Sequence, residues 1–149
     1  MSYDKLKIFS YIIILLLLVF LSFIFLFFMP KDKVCFDDAC IYVDIAKTQE
    51  DKQKWLMNVD YLESDSWMLF VFDEEDKHWF WMKNTLIPLD ILWINDNEVV
   101  SIKDNAQPCK DEYCDIYYPS EAADYVLEVN AWKAKEMWIL TWSLVELIY

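Results

Sequence analysis

Glycine is absent from this chain of 149 residues, where ordinary usage of about 7% would supply roughly ten. Glycine is the default wherever a backbone must reach positive φ, in tight turns and past helix ends. A folded domain must therefore meet those needs with other residues. Arginine is absent too: all 13 basic side chains are Lys, against 26 Asp and Glu, for a net charge of −13. Lys5, Lys7, Lys31 and Lys33 outweigh Asp4 and Asp32 in residues 1–34 by 2, so the remainder carries −13 − 2 = −15. Phosphate backbones are held by clustered Lys and Arg, so nucleic-acid binding is not expected. His78 is the single histidine. Any Ser-His-Asp or Cys-His site would have to use it, and no sequence pattern supports one. It reads as a solvated surface residue beside a turn. A C-x-x-C redox pair, internal repeats, Pro-rich linkers and low-complexity tracts are also missing.

What is present begins with a long apolar run. From Tyr11 to Met29 only Ser22 is polar. At about 1.5 Å per residue such a helix nearly spans the ~30 Å hydrocarbon core of a bilayer. The run exceeds the usual signal-peptide core, and no small-x-small cleavage site follows it. Lys33 and Val34 precede Cys35, which is no lipobox. Residues 1–33 therefore read as an uncleaved single-pass anchor, with a cleaved signal segment as the rival, and residues 34–149 as one globular domain. Lysines flank the run on both sides, so they scarcely fix its orientation.

The cysteines argue for an exported domain. Cys35 and Cys40 form one C-x4-C pair and Cys109 and Cys114 a second. Structural zinc sites favour other spacings and often recruit His. An even count after an export-type segment reads as disulfides outside the cytoplasm, with local pairing the first of three connectivities. Free thiols and a metal site remain alternatives. No cofactor or metal is expected.

Periodicity predicts strands over Cys40–Ala46, Met68–Phe72, "FWMK", Leu89–Ile94, "VVSIK", Tyr125–Val129 and the closing "SLVELIY". Thr48 with Asp51 is a weak capping pattern for a helix to about Met57. Asn130 is a fair N-cap for a short helix over "AWKAKEM". Glu63–Ser66 reads as a loop, Asp73–Lys77 as a solvated turn lacking EF-hand spacing, and Asn95–Glu98 as a hairpin turn. Six or seven strands and two short helices make a mainly β domain. The helix over "AWKAKEM" leaves Trp138 at C′, a position commonly held by left-handed glycine. Trp142, in "TWS", occupies another turn.

The motif "WFWMKNTLIPLDILWI", with "MLFVF" upstream and "QPC" and "YVLEVNA" downstream, resembles the bacterial and archaeal family catalogued as domain of unknown function 192. The resemblance runs from Ile41 to Leu147. It implies a small mainly-β domain of sandwich or barrel type and no established activity. It also implies glycine where this chain has Trp55, Trp67, Trp132, Trp138 and Trp142, with Trp79 a sixth such place. Trp81 and Trp93 match positions where the family accepts an aromatic. Some bacteria read UGA as glycine, whereas a common alternative translation table reads it as tryptophan. The expectation is that six of the 8 Trp are glycine in the living protein.

Lys83, Asn84 and Thr85, with Asp90 beyond Pro88, form the best polar cluster, and the resemblance implies a shared role for them. They are the ligand-binding candidates. The competing reading has Asn84, Thr85 and Asp90 fix a bend through side-chain to backbone bonds, with Lys83 pairing Asp90. Near the place where the family usually carries a basic residue this chain has Val59, which counts against an anion site. Two functions follow. One is a membrane-anchored extracytoplasmic binding or interaction module for an envelope ligand or protein. The other is a hydrolase acting on envelope carbohydrate or peptide through Asp90, which would need a second carboxylate at close range. The sequence offers no such pair.

Overall fold

The structure, a computed structural model, describes residues 3–27, 31–37, 39–54, 56–62 and 67–149. Trp55, the expected loop Glu63–Ser66 and Met29 at the end of the apolar run lie outside the described residues. The chain divides into two units, Met1–Lys31 and Asp32–Tyr149.

The first unit holds helix α1 (Tyr3–Phe27). Its 18-residue window Lys7–Ile24 has mean hydropathy 2.6, and none of it is buried against protein. That window rises about 27 Å, close to the apolar thickness of a bilayer. Ser22 Oγ donates to the Val19 carbonyl at 2.7 Å. Its hydroxyl is thus satisfied inside the helix, as a lipid environment demands.

The second unit is mainly β. Its strands are β1 (Lys33–Phe36), β2 (Ala39–Ala46), β3 (Trp67–Asp76), β4 (Phe80–Trp81), β5 (Leu89–Asn95), β6 (Glu98–Ala106), β7 (Ile116–Tyr117), β8 (Ala123–Asn130) and β9 (Glu146–Ile148). Helices α2 (Gln49–Lys54) and α3 (Lys133–Glu136) complete it. Seven strands form one sheet in the order β6-β5-β8-β3-β2-β1-β9, and β4 pairs with β7 alone. The sheet curls until its edges approach: Leu144, just before β9, bridges Glu98 of β6. Hydrogen bonds from Val99 to Ser143 (3.0 Å) and from Val145 to Asn97 (2.8 Å) fasten the closure. One apolar cluster draws Val34, Val99, Leu92, Leu127 and Val145 from both edges and the centre, and so fills the inside of the curl. The other face carries Met68, Phe70, Leu89, Ile91, Trp93 and Val126, covered by Leu56 and Met82. Apolar packing on both faces explains why β5 reads as a continuous hydrophobic run.

Several expectations shift. Asp73–Asp76, read as a turn, continues β3, which rejoins β8 at Asp76↔Ala123 after a register shift. Its acidic end is exposed on both faces, so a strand can carry four consecutive acids there. The helix expected to reach Met57 stops at Lys54, although Thr48 does cap it: Asp51 N–H donates to Thr48 Oγ1 at 3.1 Å, and Thr48 Oγ1 donates to Asp51 Oδ2 at 2.6 Å. Asn130 is not the N-cap of α3. It ends β8 and donates from Nδ2 to the Leu62 carbonyl at 3.2 Å, while Trp132 takes the cap position without a side-chain bond. The closing strand keeps only Glu146–Ile148, because a turn joins Leu140 to Ser143. Strands β1 and β7 carried no periodic signal, being four and two residues long.

Nine described residues have positive φ, and six are Asp or Asn: Asp37, Asn58, Asn84, Asp96, Asn97 and Asn105. Their short polar side chains tolerate the left-handed region better than other residues do. Asp96 and Asn97 form the two-residue turn of the β5–β6 hairpin, at φ 48° and 62°, the sign that a type I′ turn requires. The other three are Trp132, Trp138 and Trp142, at φ 73°, 57° and 75°.

Candidate functional site

The polar cluster of the sequence turns inward. Asp90 is fully buried, and both carboxylate oxygens are occupied: Oδ1 accepts from Asn105 N–H at 2.8 Å and Oδ2 from Ala134 N–H at 3.0 Å. β6 carries one extra residue opposite Asp90, between the pairs Leu89↔Ala106 and Ile91↔Lys103. A single side chain therefore clamps a bulge of β6 and the start of α3. Charge-assisted bonds of this kind are about twice as strong as neutral ones.

Lys83 points away from Asp90. Its Nζ donates to the backbone carbonyls of Asp111 and Glu112, inside the loop closed by the second disulfide. Asn84 sits at φ 56°, where its N–H donates to the Cys109 carbonyl (2.9 Å) and its own carbonyl accepts from Asn58 N–H (2.8 Å). Thr85 is buried and bridges Met57. These three residues bind the segment after α2 to the 109–114 loop.

Both disulfides are local: Cys35 with Cys40 and Cys109 with Cys114. The first joins directly opposed residues of the β1–β2 hairpin. Among the described residues no group of three or more His, Cys, Asp and Glu is placed to hold a metal ion.

A concavity among the described residues lies on the outer face of the sheet, with a volume near 720 Å³. Its floor is aromatic: Phe70 and Phe80 meet edge to face at 5.0 Å, and Phe72 stacks on His78 at 3.6 Å with planes 13° apart. β3 supplies Phe70 and Phe72 on alternate residues, and β4 adds Phe80 and Trp81. Helix α2 forms the opposite wall with Gln49, Lys52 and Gln53, and the Lys52 ammonium lies 4.2 Å above the Phe72 ring. Lys77 and Asp76 complete a charged rim. Met57 also lines this cavity. The Asn84 and Thr85 contacts therefore fix its wall from behind.

His78 was read as a solvated residue beside a turn, yet it is half-buried and stacked. Its Nε2 lies 3.0 Å from the Glu74 carbonyl, and its own carbonyl accepts from the Trp93 indole at 2.7 Å. The density of aromatics from His78 to Trp81 was the available signal. The partner ring, Phe72, lies six residues back in β3, whose outer half the sequence reads as a turn. Nearby, burial raises the Asp124 carboxyl above its usual range, opposed by a backbone hydrogen bond and reinforced by Glu75 and Asp96.

Comparison places these features in a family. No curated protein matches the chain. A crystal structure from Sinorhizobium meliloti 1021, described as a candidate transcription regulator, is similar at 31% identity and a TM-score of 0.70; the match covers 79% of this chain and 94% of that one. A protein of unknown function from Novosphingobium aromaticivorans DSM 12444 is similar at 30% identity and a TM-score of 0.67, covering 78% and 83% respectively. The model of the DUF192 family, described as "Uncharacterized ACR", matches residues 33–142, and the chain belongs to that family.

Proposed function

We propose that this protein is a membrane-anchored extracytoplasmic module that binds a small envelope saccharide in the aromatic cavity between α2 and the β3–β4 segment. One observation carries the reading: an aromatic-lined concavity, with Gln49, Gln53, Lys52 and Lys77 in its wall and rim, is large enough for a small ligand. The exposed ring of Trp81 can take the apolar side of a sugar ring, Gln49 and Gln53 can bond its hydroxyls, and Lys52 and Lys77 suit an anionic substituent. The apolar helix and the two disulfides point to a membrane-anchored or secreted protein. A single-pass anchor with the globular unit outside the cytoplasm is the form proposed.

Hydrolysis through Asp90 fits the geometry poorly, since both its oxygens already accept backbone bonds away from solvent. Transcription regulation, the description given to the Sinorhizobium relative, fits a net charge of −13 no better if it works by binding DNA. The test is calorimetric titration of the full chain in detergent micelles with the soluble disaccharide of N-acetylglucosamine and N-acetylmuramic acid. Saturable one-site binding is expected, weakened at least tenfold by Phe72→Ala and by Gln53→Ala. Absence of heat, or binding indifferent to both substitutions, overturns the assignment.

A further inference from the structure

We propose that positions 132, 138 and 142 carry glycine in the polypeptide its own cell makes, from codons that a tryptophan-reading table renders as Trp. The grounds are steric. Trp138 occupies the C′ position of α3: its N–H donates to the Lys135 carbonyl at 3.2 Å, and Ile139 N–H donates to the Ala134 carbonyl at 2.8 Å. Those two bonds define a Schellman motif, whose C′ residue is left-handed and is usually glycine. The accompanying apolar contact is present as well, since Ala134 and Ile139 are both buried in one cluster.

Trp142 stands at the third position of the turn closed by Ser143 N–H to the Leu140 carbonyl at 3.0 Å. Thr141 is not left-handed while Trp142 has φ 75°, the combination of a type II turn, which asks for glycine at that place. Trp132 caps α3 at φ 73° and ψ −2° with no side-chain bond, so its indole supplies none of the usual reward of a cap residue.

None of the three indoles repays the backbone by burial, for they are 53%, 86% and 63% exposed. Every other left-handed residue described is Asn or Asp. The left-handed residues thus comprise two small polar types and the bulkiest residue of all, with nothing between, in a chain of 0 Gly. Chance substitution does not produce that gap, whereas reassignment of one codon does. Trp93 marks the contrast: it is buried and donates its indole N–H to the His78 carbonyl. Trp67, a buried residue of β3, and Trp79 lack positive φ, so the backbone at those two makes no demand for glycine. The exposed indoles around α3 are accordingly no docking surface.

Peptide mass spectrometry of the chain isolated from its source organism is the direct test. Peptides spanning 131–149 are expected to show the glycine residue mass at all three positions, and the indole mass there overturns the proposal. The recombinant full chain in detergent gives a second readout. Trp138→Gly is expected to raise the melting temperature by several degrees, and Trp138→Ala, which keeps a β-carbon, is expected to leave it unchanged. Equal gains from the two would assign the effect to the lost indole and overturn the backbone argument. Trp93→Gly is expected to lower it.

Discussion

Glu128 shows how strongly one residue can couple this fold to pH. It lies in β8 opposite Met68 and Ile91, both fully buried, and only 5% of its own surface is exposed. Burial alone pushes its carboxyl from 4.5 up to about 8. Between those values the native chain holds a proton that the unfolded chain has released, so stability falls as pH rises. The contribution is fully present below pH 4.5 and lost once pH passes about 8. Its size is on the order of a few kcal/mol, at ~1.4 kcal/mol per unit. Glu128→Gln, which keeps the shape and removes the titration, is expected to raise the melting temperature at pH 8 and leave it little changed at pH 5. A parallel pH dependence in both proteins would place Glu128 in contact with water. Asp90, also buried, accepts backbone N–H bonds at both its oxygens. The sequence suggested backbone bonds for Asp90 but not which segments they join, and gave no sign of Glu128. Both residues look alike there, each an acid within an apolar strand, and only the strand pairing decides which one meets donors.

Among the elements, α2 is the weakest link to the cavity. It has six residues, too few to be stable alone, and contributes Gln49, Lys52 and Gln53 to the wall. Its first turn depends on the reciprocal Thr48–Asp51 bonds. Thr48→Ala is expected to cost about 1 kcal/mol in denaturant unfolding and to weaken disaccharide binding without altering β3 or β4. Unfolding unchanged by the substitution would show that packing, not the cap, holds α2. Legibility followed element length and pattern. β5 and β8 announce themselves by apolar runs, and the β5–β6 hairpin by its Asp96–Asn97 turn. β7 is defined by a partner distant in sequence, β1 is a short strand hairpinned to β2, and β3 hides its outer half in a run of acids that reads as solvated turn. The Cys35–Cys40 pair could have marked the first hairpin, since its two members oppose each other directly.

At the scale of the whole molecule, the apolar helix and the β unit answer to different solvents. Helix α1 leaves its large side chains exposed, as suits a helix long and apolar enough to cross a membrane. The β unit instead carries an acidic surface, which favours solvation. Within the β unit, the residues that the sequence singles out by chemistry, Lys83 through Asp90, brace the structure. The residues that line the cavity, Phe70, Phe72, Lys52 and His78, come from segments unremarkable when read one at a time. That division is open to one paired measurement: thermal unfolding and disaccharide titration on Phe72→Ala and Asp90→Asn of the full chain. Phe72→Ala should lose binding while melting within a few degrees of the parent. Asp90→Asn, with one oxygen replaced by a donor facing a donor, should melt well below it and still bind at temperatures where it is folded. Binding lost in folded Asp90→Asn and kept in Phe72→Ala would contradict the account.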